Sequence, residues 1–494
     1  MVIGGLDVGT TGCKLTAYDE SGKFIYSSYK EYEINRHSGE HEIDAQVIFD
    51  AVCEVIKDVA KQCPLSAIGV TTFGETFVML DEKDLVLLPS MLYTDPRGEE
   101  ECAKLKDSLG EAKIIEISGT KPHQMYSIAK VMWIKENKLE IYKQASKVLL
   151  MEDYIVYMLS GNACIDYSLA ARTMAFDIRN KCWSDEIFDA AGIDKKLFST
   201  PVPAFNIAGK LKNELKTALG IEWDVDIVNG AHDQVASAVG AGVFNIGNAV
   251  DGTGTVECIT PVFDKIPTDE KLYKENYSVV PYVFDGTYVC YAFSFTGGAS
   301  VKWYRDNFAK DKSYRELDSV IGNEPTGILV LPHFVGAATP YMDNGSKAAM
   351  IGLTLEHKGE DIYKALMEGV TYEIMINIER MENVGIIPEK LYATGGGAYS
   401  DVWLQIKADI LNRPITALEA KEAGTCGTCM MVGVAVGLYS DLDEAKNIFV
   451  KEKKTFYPNS DNASKYKKYY DAYKKIYDAV RPIVGLTEKG MQIC

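Results

Sequence analysis

Residues 2–20 read VIGGLDVGTTGCKLTAYDE, and the fold class is set by what this opening forms. Two short apolar runs, VIGGLDVG and CKLTAYDE, flank a glycine turn, and a Ser21-Gly22 turn leads on into KFIYSSYKEY. Runs of this length separated by glycine turns predict an antiparallel strand pair at the very start of an α/β domain. Gly9 and Gly12 are expected to let the first turn tighten, so that backbone N–H groups around Thr10 and Thr11 form a nest for an anion. Lys14 stands just beyond, within reach of a phosphate oxygen. Asp7 precedes the turn and suits Mg²⁺, an ion that takes oxygen ligands and keeps part of its water shell.

Outward from this hairpin, AQVIFDAVCEVIKDVAKQC (45–63) carries apolar residues at three- and four-residue spacing and predicts a helix. AIGVTTF (67–73) and TFVML (76–80) read as strands parted by Gly74 and Glu75, and VDIVNG (225–230) as a short buried strand before the helix start AHDQVASAVGAG. From about residue 245 the pattern begins again. NAVDGTGTVECIT (248–260) is strand, turn, strand; EDIYKALMEGVTYEIMINIERM (360–381) is a long helix; KLYATGGG (390–397) is a strand running into glycines. A chain of 494 residues exceeds what one core usually sustains. The echo therefore predicts two related α/β domains, residues 1–244 and 245–494, with a cleft between them.

Two familiar phosphate motifs are missing: no Gly-Lys-Ser/Thr loop occurs and no GxGxxG follows a strand. In their place stands a series of glycine turns. Gly252, Thr253 and Gly254 repeat the opening chemistry at the start of the second half. Gly297 and Gly298 follow in FTGGASVKW, and Gly395, Gly396 and Gly397 come between a strand and a helix, where backbone approaches a ring or phosphate closely. Two such turns, one from each domain, would hold a triphosphate from both sides.

The formal charge of −18 argues against nucleic acid and against an anionic membrane surface, since both need clustered Lys and Arg. No run of eighteen apolar residues and no basic leader is evident, so neither a membrane span nor a signal peptide is expected. Eleven cysteines without regular spacing suit free thiols in a reducing cytoplasm. The close pair Cys426 and Cys429, in the small-residue run GTCGTCMMVGVAVG, supplies only half a zinc site and is read as packing in a buried helix. The final SKYKKYYDAYKKIYDAV is read as a surface-packed helix.

This ordered set resembles the FGGY carbohydrate kinases of the actin-like ATPase superfamily. MYSIAKVMWIKE (125–136), with Lys130 and Trp133, is similar to one family signature. AAMIGLTLEHKGEDIYKALME (348–368), with Gly352, Leu353, Ala365 and Glu368, is similar to a second. LPHFVGAATPYMD and GGGAYSDVWLQIKADILNRPI resemble further family segments, and the likeness runs over roughly residues 1–480.

The resemblance implies two actin-like (ribonuclease H-like) ATPase domains, ATP with Mg²⁺, a small sugar or polyol as acceptor, and a homodimer as a plausible state. It places Asp233 as catalytic base, Gln234 as a substrate contact beside it, and Glu75 as the acidic residue on sugar hydroxyls. Thr11, Thr253, Gly298, Lys302, Gly397 and Asp401 fall on its nucleotide positions. Gly74 and Met125 depart from glycerol kinases, which carry Arg and Tyr there, so ketoses such as xylulose or fuculose are favoured.

The residues suit these roles. A carboxylate with an ordinary pKa of about 3.9 is ionised at neutral pH and can take the proton of an attacking hydroxyl. Asp233 follows a strand's carboxyl end, where open α/β sheets place ligands, and can cap its helix at the same time. The two oxygens of Glu75 suit vicinal hydroxyls. His232 either touches substrate or packs, Asp95 and Arg97 are read as a structural ion pair, and Trp303 is read as core. Two other readings of the same turns are a non-enzymatic actin-like ATP switch, which has no need of Glu75, and a silent sugar sensor, which would be expected to lose Asp233.

Overall fold

The computed structural model describes residues 1–37, 39–267, 273–419 and 422–491. They divide into two compact units. The first comprises Met1–Gly242, Ser278–Val289 and Glu422–Val450, and the second comprises Val243–Tyr277, Cys290–Lys421 and Lys451–Cys494. The sequence echo places one boundary after residue 244; the chain instead returns to the first unit twice. The small-residue run GTCGTCMMVGVAVG in one returning segment signals burial but not which unit it joins.

The sheet of the first unit runs β5-β6-β4-β1-β2-β3. Its strands are β1 (Val2–Val8), β2 (Gly12–Asp19), β3 (Phe24–Glu31), β4 (Ala67–Thr72), β5 (Ile207–Lys210) and β6 (Asp226–His232). β1 and β2 form the antiparallel pair read from the sequence, with Asp7 opposite Lys14. β1, β4 and β6 are mutually parallel, so their carboxyl ends share one edge of the sheet. Helix α1 (Ala45–Ala60) is capped by the Asp44 side chain on the Gln46 N–H and buries Ile48, Val52, Val55 and Val59, as its spacing predicts. Helix α2 (Asp233–Gly240) leaves directly from β6.

The helix Ala423–Ala435 fits against this unit because glycines let backbones meet. A Cβ on Gly5 would stand 2.3 Å from the Thr425 carbonyl oxygen, and one on Gly427 would stand 1.9 Å from that of Ala236 in α2. Cys426 and Cys429 are buried there as packing residues. Burial pushes the Cys426 thiol up to about 12, so it stays protonated.

The second unit repeats the opening pattern. β7 (Asn248–Thr253) pairs antiparallel with β8 (Glu257–Phe263) and parallel with β9 (Lys390–Thr394). β9 lies parallel to β10 (Ile415–Leu418), which pairs antiparallel with β11 (Glu452–Phe456). Helices α3 (Gly298–Phe308), α4 (Gly359–Glu382) and α5 (Asp401–Leu411) pack around this sheet. The charged segment near the C-terminus forms a helix over Ser460–Tyr473 that buries Tyr466, Tyr470 and Tyr473. Their hydroxyls donate to Glu368, Glu379 and Glu373 of α4. Its tyrosine face is thus core rather than surface.

Candidate active site

In the first unit the ends of three parallel strands gather the carboxylates singled out in the sequence. Asp7 closes β1, Gly74 and Glu75 follow β4, and Asp233 follows β6 as the first residue of α2, with His232 at the cap position. Carboxyl ends of parallel strands are where ligands of open α/β sheets bind.

Asp233 is unlike the ordinary carboxylate that sequence alone suggests. Burial pushes its pKa up from 3.8 to about 7, with the neighbouring Asp7 charge adding to the rise; the Gln234 N–H and Arg172 oppose it. Its Oδ1 is shielded from solvent and has no hydrogen-bond partner. His232 Nε2 lies 3.3 Å from that oxygen, without hydrogen-bond geometry. The His232 ring is held well below its usual pKa, first by burial and then by Arg172, and is therefore neutral. Its backbone N–H donates to Ser168 Oγ at 2.9 Å. Ser168 in turn is fixed by Asp166, which accepts from the Ser168 N–H and hydroxyl.

Glu75 is buried, 4% exposed, and sits at φ 61°, a left-handed conformation uncommon for a residue with a side chain. Such strain persists only where the surroundings over-determine it. They do so here. Arg172 donates to Glu75 Oε1 through Nε at 2.6 Å and also through Nη2, and Ser127 Oγ donates to the Glu75 carbonyl at 2.6 Å. The Arg172 guanidinium lies over the Tyr126 ring, 5.2 Å from its centroid. A Cβ on Gly74 would meet both Arg172 and the His232 ring at 3.1 Å, so a glycine here leaves them room. Arg172, Tyr126 and Ser168 escaped the sequence reading. Arg172 lies 97 residues from Glu75 and Ser168 lies 64 from His232, in segments without glycine turns.

The signature residues Lys130 and Trp133 act on structure. Lys130 Nζ donates to the Asp95 carbonyl at 2.6 Å and the Arg97 carbonyl at 3.2 Å, while Arg97 lies over Trp133. Asp95 and Arg97 pair at 2.7 Å, and Arg97 also pairs with Glu42.

At the opening turn the structure differs from expectation. Neither Gly9 nor Gly12 adopts a positive φ. Gly12 is needed because a Cβ there would stand 2.5 Å from the Tyr29 hydroxyl and 2.8 Å from the Lys30 carbonyl oxygen. The turn, with Thr10 and Thr11 at its tip, is closed by the Gly9 N–H donating to the Gly12 carbonyl. Lys14 pairs with Glu422 at 2.7 Å.

Asp7 makes no side-chain hydrogen bond or ion pair among the described residues. Its pKa is raised to about 6, mainly by burial and then by Glu422, with Lys14 opposing. A half-buried, uncompensated carboxylate beside the Asp233 charge is the donor type that suits Mg²⁺ arriving with a phosphate ligand.

The second unit contains a cavity of about 1280 Å³. Thr253, Gly254, Gly298, Lys302, Gly396, Gly397 and Asp401 all line it. Their convergence follows from register: Gly252 lies opposite Thr394 in the parallel β7–β9 pair, so the two glycine turns leave adjacent strands at one level. Gly395 takes φ 77°, the left-handed region glycine enters freely. A Cβ on Gly298 would stand 2.7 Å from the Gly254 carbonyl oxygen. Trp303, expected in the core, instead forms part of the wall, packed 4.9 Å from Phe334 by ring centroids. Lys302 is exposed and pairs with Asp306, and Asp401 pairs with Lys454 at 2.8 Å. A roomy pocket with glycine backbone at one part of its wall and aromatic rings at another suits a ligand that is part polyanion, part flat ring.

Two models of one protein family cover most of the chain. The N-terminal domain of the FGGY family of carbohydrate kinases matches residues 2–240, and the C-terminal domain of that family matches residues 264–436. The chain is 28% identical over 484 residues to a xylulose kinase of Lactococcus lactis, covering 94% of each. It aligns with the crystal structure of a gluconate kinase from Lactobacillus acidophilus at 26% identity and a TM-score of 0.90, over 98% of this chain and 99% of that one. A ligand-bound xylulose kinase from the same organism gives the same TM-score, identity and coverage. With two α/β units, glycine turns at corresponding strand ends and both domains matched over most of its length, the chain belongs to the FGGY family of carbohydrate kinases.

Proposed function

We propose that this kinase transfers the γ-phosphate of ATP to a hydroxyl of a neutral ketose, xylulose-like in size, with Asp233 as general base. The observation that carries the proposal is the unpartnered, shielded Oδ1 of Asp233. A carboxylate with a free acceptor and a pKa near 7 both orients a hydroxyl and takes its proton as the O–P bond forms. Glu75, Gly74, His232 and Gln234 surround this position as sugar contacts, with Glu75 held rigid by Arg172 to accept from hydroxyls.

ATP takes the cavity of the second unit, its phosphates against Thr253, Gly254, Gly298 and the Gly396-Gly397 turn, with Lys302 and Asp401 at the margin and Gly252 behind the turn as its last strand glycine. Within the first unit Gly9, Thr10, Thr11 and Lys14 are the candidates for phosphate contact, and Asp7 would hold Mg²⁺. The metal, when bound, offsets phosphate charge in a loose transition state that depends on positioning and electrostatics. The chain's own residues fix the base, orient the acceptor and keep His232 neutral.

A neutral acceptor is favoured over a sugar acid such as gluconate by charge. Asp7, Asp233 and Glu75 place three carboxylates at one edge, and the Arg172 guanidinium among them is already engaged by Glu75. A further carboxylate would meet repulsion. The described cysteines are free thiols, which fits a cytoplasmic enzyme, and no helix among the described residues is long and apolar enough to cross a membrane. A homodimer is the assembly the family suggests.

Steady-state ADP release from purified protein, across xylulose, ribulose, fuculose, glycerol and gluconate, tests the proposal. The highest kcat/KM is expected on a ketose. Preference for gluconate would overturn the charge argument, and absence of turnover on every sugar would overturn the assignment of the base.

A further inference from the structure

A second charged cluster, in the second unit, has no part in the chemistry proposed above. Lys407, on α5 and 1% exposed, donates through Nζ to Asp251 Oδ2 and to Thr253 Oγ1, each at 2.6 Å. Glu257 Oε1 lies 2.9 Å from the same nitrogen. Asp251 and Glu257 are fully buried. Replacing such a buried ion cluster by apolar residues is commonly neutral or stabilising, so stability alone gives poor grounds for keeping it.

Its placement suggests another use. Asp251 and Thr253 alternate on one face of β7, at the turn that lines the nucleotide cavity, and Thr253 lies opposite Glu257 in the β7–β8 register. An ammonium group only donates, so Thr253 Oγ1 is an acceptor towards Lys407, and its own proton has to be given elsewhere. Asp251 Oδ1, at 3.4 Å, is a poor acceptor. Thr253, itself only 1% exposed, lines the cavity, and that is the side to which its hydroxyl proton can turn. Thr253 is also held by shape: a Cβ on Gly397 would stand 2.6 Å from Thr253 Cβ, and one on Gly395 would stand 2.6 Å from its carbonyl oxygen.

We infer that Lys407 is a positioning residue for the nucleotide, holding the Thr253 hydroxyl as an acceptor so that its proton points into the cavity towards a phosphate oxygen. The inference rests on the nucleotide reading of this cavity. Asp251 and Glu257 fix the lysine, and Thr253 alone of the four reaches ligand.

The test compares Lys407→Met, the charge-balanced Lys407→Met/Glu257→Gln, Thr253→Val, Thr253→Ser, and the combination of Thr253→Val with each lysine variant. Readouts are KM for ATP, KM for sugar, kcat and the dissociation constant for ADP by calorimetry. Loss of one hydrogen bond to a charged phosphate predicts about a tenfold or larger rise in ATP KM for Thr253→Val and for the lysine variants. Thr253→Ser stays within about threefold of wild type, and sugar KM does not move. In the Thr253→Val background, loss of the lysine adds nothing further, whereas a purely structural lysine would add its effect in full. If Lys407→Met does not fold, the charge-balanced double variant carries the comparison. A folded lysine variant with wild-type ATP KM and ADP affinity overturns the inference. Wild-type protein that turns over sugar while Thr253→Val binds ADP normally overturns the placement of the phosphates at Thr253 and the inference with it.

Discussion

Asp233→Asn separates the catalytic and the energetic consequences of one carboxylate. Burial and the Asp7 charge raise its pKa from 3.8 to about 7, so the folded protein binds this proton more tightly than the unfolded chain does. Ionisation therefore works against folding. The cost is absent below about pH 4, where both states are protonated, grows between about 4 and 7, and is constant above that. At 1.36 kcal/mol per pH unit the ceiling is about 4 kcal/mol. Because 35% of the side chain meets solvent, screening reduces this to about 1–2 kcal/mol. Asp233→Asn, which keeps the shape and removes the ionisation, should raise the ligand-free melting temperature at pH 8 and leave it unchanged at pH 4. The same change should lower kcat by ~10²–10⁴ while ADP binding is retained. In the wild type, kcat/KM for sugar should fall about tenfold per unit below pH 7, since the base must be deprotonated. Thermal melts at the two pH values, with ADP-release kinetics, measure all three. An Asn variant that is less stable at pH 8, or turns over within tenfold of wild type, would refute the reasoning.

Arg172→Met would leave Glu75 buried without its cation, costing about 3–5 kcal/mol by denaturant titration. Adding Glu75→Gln should recover most of that stability while sugar KM stays high; recovery of both would make the pair purely structural. Gly427→Ala drives a methyl to 1.9 Å from the Ala236 carbonyl oxygen, and a melt should show at least ~1–3 kcal/mol lost to overpacking; an unchanged melt would mean the helix contact yields. Trp303→Ala should raise ATP KM several-fold and leave sugar KM alone; the converse pattern would remove Trp303 from the nucleotide wall.

Local chemistry made much of this legible in the sequence. The β1–β2 and β7–β8 pairs announced themselves through apolar runs and glycine turns, and the strand-end positions of Asp7, Glu75 and Asp233 followed from where those runs stopped. Three-dimensional juxtaposition was not legible. Arg172 reaches Glu75 across 97 residues and Lys407 reaches Asp251 across 156, and nothing local marks either cation as buried. The sequence also could not tell why a glycine is present. Gly12 reads as turn freedom, yet its φ is not positive and the missing side chain makes room for the Tyr29 hydroxyl on the next strand. The return of Ala423–Ala435 to the first unit escaped for a similar cause, since small residues signal close packing without naming the partner.

The carboxylates of the first unit differ in how they are compensated, and the difference tracks the work proposed for each. Glu75 is clamped by Arg172, with Ser127 on its carbonyl, in a backbone conformation it would not otherwise hold; such a group is a fixed acceptor, ready before ligand arrives. Asp7 and Asp233 lack any such cation, and each has its pKa lifted by burial. Leaving two carboxylates poorly solvated is costly to the fold, but it is what tunes one of them to neutral pH and leaves both with unused acceptor capacity. A cation delivered to Asp233 by substitution would lower its pKa and improve stability while weakening it as a base. Orientation and proton transfer thus ask opposite things of the same side-chain type, and the parallel strand ends supply both within one edge of one sheet.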